Sequence, residues 1–441
     1  MMEDWEIFEL GSGLNLLNGY AFKSKFFTDN VDDIILIKGS NLGKGVVLWG
    51  SSKYWSKKDE LKFSKYLLQT GDVLLAMDRP WVSGGLKYAS IKKNDPKSFL
   101  VQRIACLRSN EKMDQNFLKF VIASHNFSAY IKSLQGGVGV PHISPSQIKN
   151  YKFNLPPLKT QRKIASILTA YDDLLENNLK RIKLLEEQAQ QTYEEWFVRF
   201  KFPGYENVEI DEESGLPAGW EKVKASERIK LVSGYAFKGK EFTDIPNDDI
   251  AVRMGNFKVG GGLKFDKSKY LIDSSEVREK FHLKHNDLVM VLSDVTREGL
   301  LIGNVGFVPI DGRNYYLNQR VSKVVTEDDF KMYAYAAFNS ASFKHNCKSK
   351  ANSVTVLNLK NDDVYSFKMV IPSKEIIGLW NKIYGSSIKM TQNLERQNQY
   401  LKEARDILLP RLMSGVIEVA GLEVSEQLGM VAEEKSEYKK A

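Results

Sequence analysis

The chain repeats itself at an offset of 215 residues, and that constrains the fold more than any other feature of the sequence. Trp5-Glu6 recurs as Trp220-Glu221, and NGYAFKSKFF (18–27) recurs as SGYAFKGKEF (233–242). IKGSN ending at Asn41 matches VRMGN ending at Asn256, GDVLL from Gly71 matches NDLVM from Asn286, and Pro157 matches Pro372. Asn178-Leu179-Lys180-Arg181 matches Asn393-Leu394-Glu395-Arg396, while Gln102-Arg103 and Gln319-Arg320 are displaced by 217, so a small insertion in the second half is later cancelled. A period this long is not that of a solenoid, whose repeats span about 20–50 residues. It describes a duplicated unit of domain size, and 441 residues allow two or three domains with cores of their own.

Each copy has two parts. The first, about 155 residues long, has β character: short apolar runs such as DDIILI (32–37), DVLLAM (72–77) and SKVVT (322–326) are separated by Gly, Asn and Asp clusters. The second part is helical and opens after Pro157 and Pro372. Thr160 to Phe200 contains neither Gly nor Pro, and Ile164, Leu168, Tyr171, Leu175, Asn178, Ile182, Leu185, Ala189, Thr192 and Trp196 alternate steps of four and three. That seam predicts a helix of about 40 residues, ended by Pro203-Gly204. In the second copy Leu379, Ile383, Met390, Asn393, Tyr400, Ala404 and Ile407 keep the steps on a more polar helix closed by Pro410 and Gly415. If the two helices pack antiparallel, Asn178 and Asn393 meet in mid-seam. A buried Asn pair sacrifices stability but fixes register, because a shifted alignment leaves an amide unpaired.

The charge follows the same division. The net +8 comprises +7 in residues 1–158, −4 in 159–215, +5 in 216–372 and zero in 373–441. A polyanion is drawn to the two β-rich parts and not to the helices between them, which makes DNA the first partner to test. The chemistry of a DNA-modifying enzyme is missing: no GxxxxGK[ST] loop, no GxSxG elbow, and no Asn/Asp-Pro-Pro-Tyr/Phe, since the only Pro-Pro is Leu155-Pro156-Pro157-Leu158. Glu60-Leu61-Lys62 has no Pro-Asp before it and reads as surface charge, and Gly260-Gly261-Gly262 reads as a loop. The five histidines form no HExxH pair, and Cys106 and Cys347 lie in separate halves, so no metal site is expected. The acidic MMEDWEIFEL start is unlike a signal peptide and no apolar run suits a membrane span, so the expectation is a soluble cytoplasmic protein without catalysis of its own.

Together these features resemble the specificity (S) subunit of type I restriction–modification systems. LPAGWEKVKASE (216–227) is similar to that family's opening of a target-recognition domain, and the paired GYAFK stretches belong to the same pattern. ISPSQIKNYKFNLPPLKTQRKIASILTAYDDLLENN (143–178) is similar to its boundary between recognition domain and helix. IPSKEIIGLWNKI (371–383) departs from it, lacking Leu-Pro-Pro-Leu and Gln-Arg. The resemblance implies an α+β architecture of two α/β target-recognition domains joined by long antiparallel coiled-coil helices with internal pseudo-twofold symmetry. The boundaries fall at 1–158 (recognition domain 1), 159–215 (central helical spacer), 216–372 (recognition domain 2), 373–420 (distal helical spacer) and 421–441 (an acidic, disordered tail). It further implies that each domain reads one half of a split, asymmetric site in double-stranded DNA while the helices set the gap. Two modification (methyltransferase) subunits would carry S-adenosylmethionine, and restriction subunits using ATP and Mg are optional further partners. The competing reading is a coiled-coil adaptor that binds only protein.

Base contacts need Arg, Lys, Asn, Gln or small polar side chains on loops that enter the major groove. Three loop pairs offer them. Lys38 and Asn41 align with Arg253 and Asn256. Arg79 and Trp81 follow the DVLLA strand, as Ser293, Thr296 and Arg297 follow its counterpart. His142 lies in GGVGVPHIS, opposite Asn352 and Ser353 in KANSVT. Tyr20/Lys23 and Tyr235/Lys238 are nearly identical in both copies and read as framework or phosphate contact, because a common residue cannot explain two different sequences.

Overall fold

The computed structural model describes residues 5–82, 85–134, 141–265, 267–272, 279–296, 298–351 and 357–419. The chain divides into two compact units, Met1–Glu176 with Gln399–Ala441 and Asn177–Asn398. Residues 421–441, expected to be a disordered tail, lie outside the described residues, as do Arg297, Asn352 and Ser353.

In the first unit the apolar runs form a four-stranded antiparallel sheet in the order Leu14–Asn18, Ile104–Ser109, Val73–Ala76, Tyr88–Ser90. A three-stranded sheet pairs Ile34–Ile37 antiparallel with Lys53–Trp55 and parallel with Ser98–Leu100. Val73–Ala76 is buried at every position, as expected of a continuous apolar strand with both faces covered. Helices Gln115–Ala123 and His125–Ser133 close the core; Asp114 caps the first through Asn116 N and Phe117 N, and Ser124 caps the second through Phe127 N. Asp72 crosses the buried sheet edge with a two-pronged ion pair to Arg108, 2.6 and 2.8 Å.

The second unit repeats the plan. Its four-stranded sheet runs Lys230–Ser233, Val321–Val325, Leu288–Val291, Val305–Phe307. Asp249–Val252 pairs parallel with Asn314–Leu317, helices Lys331–Asn339 and Ala341–Lys350 follow, and Asp287 bonds Lys323 at 2.7 Å where the first unit has Asp72 and Arg108.

The first long helix runs from Leu158 to Tyr193 and ends in a π-turn over Glu194–Val198. Its ten seam residues are all buried or half-buried, as their spacing requires. The second runs from Lys374 to Met413, straight through Pro410, which lies in its last turns instead of closing it; Gly415, at φ +73°, ends it. Within each unit the two helix segments run antiparallel. Asp172 meets Arg405 (2.9 Å) in the first unit, while in the second Asn178 meets Asn398 and Trp196 packs on Trp380.

The expected seam of the second helix is wrong by one residue. Leu379, Ile383, Met390, Asn393, Tyr400 and Ile407 are exposed, whereas Trp380, Tyr384, Leu394, Asn398 and Leu412 are buried. The cause lies in the offset. Strand Lys152–Leu155 corresponds to Lys368–Ile371 and helix Gln115–Ala123 to Lys331–Asn339, a shift of 216, so the insertion seen near Gln319 is not fully cancelled. One residue turns a helix by about 100°, enough to carry a whole stripe off the seam. Asn393 accordingly sits in solvent beside Arg396, and Asn178 donates instead to Asn398 Oδ1 at 3.1 Å.

Candidate nucleic-acid interface

In each unit the parallel strand pair brings two separate chain segments to one edge. Val101 N donates to Ile37 O at 3.1 Å, setting Lys38 beside the turn at Gln102-Arg103; Asn318 N donates to Val252 O at 3.3 Å, setting Arg253 beside Gln319-Arg320. In the second unit Arg253, Gln319 and Arg320 line one cleft with Phe237 and Phe242, and the Arg253 guanidinium lies 5.6 Å above the Phe242 ring.

A third segment joins at the end of the central strand. Met77 N bonds Arg103 O at 2.9 Å, so Asp78 and Arg79 abut the turn, and Asp78 accepts from Arg103 Nη1 at 2.7 Å and pairs with His142. Arg79, Arg103 and His142 are all exposed. Arg79 and Arg103 also hold left-handed backbone, φ +46° and +70°, a conformation that costs non-glycine residues and often marks a functional site. Trp81 is half-buried in a short hairpin with Leu86 and packs on the core beneath, so it supports this edge.

The second unit builds the corresponding segment around a carboxylate. Asp294 is fully buried and accepts hydrogen bonds from Thr296 N and Thr296 Oγ1 (both 2.7 Å), Ile302 N (3.1 Å) and Leu301 N. Thr296 is thereby committed to shaping its own loop.

Four of the expected readers bond to their own surroundings, Thr296 among them. Asn41 and Asn256 are buried: Asn41 Oδ1 accepts from Lys38 N (3.1 Å) and its amide donates to Leu48 O (3.0 Å), while Asn256 does the same with Arg253 N (2.9 Å) and Lys264 O (3.1 Å). Both ends of each amide are spent on holding a loop. Ser293 is buried and donates to Asn358 Oδ1 at 2.7 Å. Lys38, Arg79, His142 and Arg253 stay at the accessible edge. The spacing of residues did not reveal Asp78, Asp294 or the two Gln-Arg turns; the recurrence of Gln-Arg at 217 was the available signal.

In both GYAFK segments the tyrosine backbone straps the Gln-Arg turn. Tyr20 N donates to Leu100 O and Gln102 N returns to Tyr20 O, as Tyr235 N does to Leu317 O and Gln319 N to Tyr235 O, all between 2.8 and 3.0 Å. The preceding glycine is obligatory, because a Cβ on Gly19 would stand 2.0 Å from Val101 O and one on Gly234 2.3 Å from Asn318 O.

Residues 2–187 match the type I restriction modification DNA specificity domain. Curated relatives agree: the type I restriction enzyme EcoAI specificity subunit of Escherichia coli is 35% identical over 193 residues, 43% of this chain and 31% of the relative. The HindI specificity subunit of Haemophilus influenzae is 22% identical across 94% of this chain and 100% of its own length. The chain is similar to type I specificity subunits. The fold accords with that: the crystal structure of the type I restriction–modification S subunit from M. genitalium superposes with a TM-score of 0.57 at 14% identity, covering 93% of this chain and 96% of that one. The match to EcoAI spans about a third of that relative, whereas the match to HindI takes in the whole of it. Among the described residues no helix is long and apolar enough to cross a membrane.

Proposed function

We propose that the chain supplies DNA sequence specificity to a type I restriction–modification complex. Each unit reads one half of a split site in double-stranded DNA, the units being divergent copies of one ancestor, and the long helices act as a coiled-coil spacer that sets the gap. The observation that carries this reading is the recurrence, at the same structural place in both units, of an exposed cationic edge (Arg103 and Arg79 beside the half-buried Lys38 in one, Arg253 and Arg320 in the other) beside loops that differ in sequence. A common framework with variable loops suits readers of two different half-sites, for which base contacts specify and phosphate contacts position.

Two modification subunits holding S-adenosylmethionine would methylate adenine alongside, with ATP- and Mg-using restriction subunits as further partners in the cytoplasm; this chain performs no covalent step. Exposed apolar side chains on the long helices, among them Leu179, Leu184, Met390 and Tyr400, suit docked protein partners. The test is methylome sequencing of cells carrying this chain with its modification subunits. An interrupted, asymmetric motif is expected, and lengthening the Leu158–Tyr193 helix should change the gap alone. A continuous motif, or a lengthened helix that leaves the gap unchanged, would refute the reading.

A further inference from the structure

The Gln102-Arg103 and Gln319-Arg320 turns share one dipeptide, while the stretches that follow the central strands, AMDRPWVSGG and LSDVTREG, have diverged. Both turns are exposed: the Arg103 side chain keeps 68% of its accessible surface even while paired with Asp78, and Gln319 and Arg320 form part of the open cleft wall. Neither turn is loose. Three segments hold each backbone: the strand before it, the Gly-Tyr strap (Gly19 N to Ile104 O, Gly234 N to Val321 O) and the central strand (Met77 N to Arg103 O, Leu292 N to Arg320 O). So much construction around one exposed cation has no use in the core, since the core lies under the sheet and not at this edge.

We infer that these two turns are phosphate clamps: Arg103 and Arg320, each flanked by a glutamine that donates from its amide, grip the DNA backbone at the same relative place in both half-sites and set the reading depth of the variable loops. The inference rests on the proposed DNA-reading role and adds the residues that perform its sequence-independent part. An identical pair in two readers of different sequences carries no discriminating information, whereas a phosphate is the same wherever it stands. Arginine suits it, because its planar fork takes phosphate oxygens in two parallel hydrogen bonds. In the first unit Arg103 exchanges Asp78 for phosphate as DNA arrives. In the second, Ser293 stands at the position of Asp78 and is committed to Asn358 Oδ1, and the neighbouring Asp294 is saturated by its own loop, which leaves the cleft around Arg320 to the anion.

The experiment uses the full chain assembled with modification subunits, a randomised duplex pool, and binding measured from about 50 to 200 mM KCl. Arg103→Ala and Arg320→Ala should each lower the log–log salt slope by about 0.9, so that affinity falls about 3.5-fold less across that range than in the parent protein. The sequences recovered from the pool should be unchanged in both halves. Arg103→Lys and Arg320→Lys should keep the slope, and they also report whether the turn still folds. A recovered motif altered at one base would make the arginine a base reader, and an unchanged slope would remove it from the interface; either overturns the clamp. A parent protein that recovers no motif would sink the DNA-reading role instead, while the slopes would still score the clamp.

Discussion

Asp294→Ala tests whether the second unit's loop beyond strand Leu288–Val291 is held from within. The buried carboxylate accepts four hydrogen bonds, three of them from backbone N–H groups. Ile302 N is buried where water cannot replace the lost acceptor, which costs about 1–3 kcal/mol; Thr296 and Leu301 are half-exposed and recover part of their loss from solvent. The sum is about 3 kcal/mol, a fall in Tm of about 6–12 °C for a unit of this size. Calorimetry on the full chain measures it, and recovery from a randomised duplex pool reads the functional side. The half-site read by the second unit should blur, because the segment that bears Thr296 and Arg297 loses its anchor, while the other half stays sharp. A variant that unfolds at the parent temperature with both half-sites intact would refute the anchoring role.

Asn178→Leu should destabilise by about 1–2 kcal/mol by stranding the Asn398 amide, and adding Asn398→Leu should restore most of the loss, whereas Asn393→Leu should be silent; urea unfolding of the parent, the Asn178→Leu and Asn398→Leu single variants and their double variant gives the coupling. Gly234→Ala drives a methyl group into Asn318 O and should cost more than the about 1–3 kcal/mol of ordinary overpacking, seen as early protease cleavage of the second unit. Burial lowers the Lys344 ammonium to about 7 where it donates to Gly303 O (2.9 Å). The unfolded chain therefore binds the extra proton between pH 7 and about 10.5, and stability rises with pH across that window, the penalty being fully present below 7. Lys344→Met should flatten that rise in pH-resolved unfolding.

Much of the architecture was legible in the residues because it is written as periodicity. The first long helix announces itself through ten seam positions that all turn inward, and the strands at Val73 and Leu288 through continuous apolar runs. The second helix is ambiguous in sequence because it is polar: steps of three and four fit more than one frame, and the 215 alignment points to Asn393 only because an insertion stays uncancelled. The site was harder. An asparagine just after a strand serves equally to read a base or to staple its own loop, and only burial separates the two uses at Asn41 and Asn256. Asp294 left one faint trace, an Asp two residues before a Thr, which is the pattern of a local Asx turn.

The first unit is assembled from two stretches far apart in sequence: Leu412 and Val419 sit in the same core as Ile164 and Leu168, whereas the second unit is contiguous from Asn177 to Asn398. On a ribosome adding about 5–20 residues per second, the domain made first must wait roughly 10–45 s for its closing segment. The later-made domain can finish ahead of it. Until the segment bearing Leu412 and Val419 emerges, the apolar surface around Ile164 and Leu168 stands uncovered, which makes the split unit the more vulnerable of the two to aggregation during synthesis.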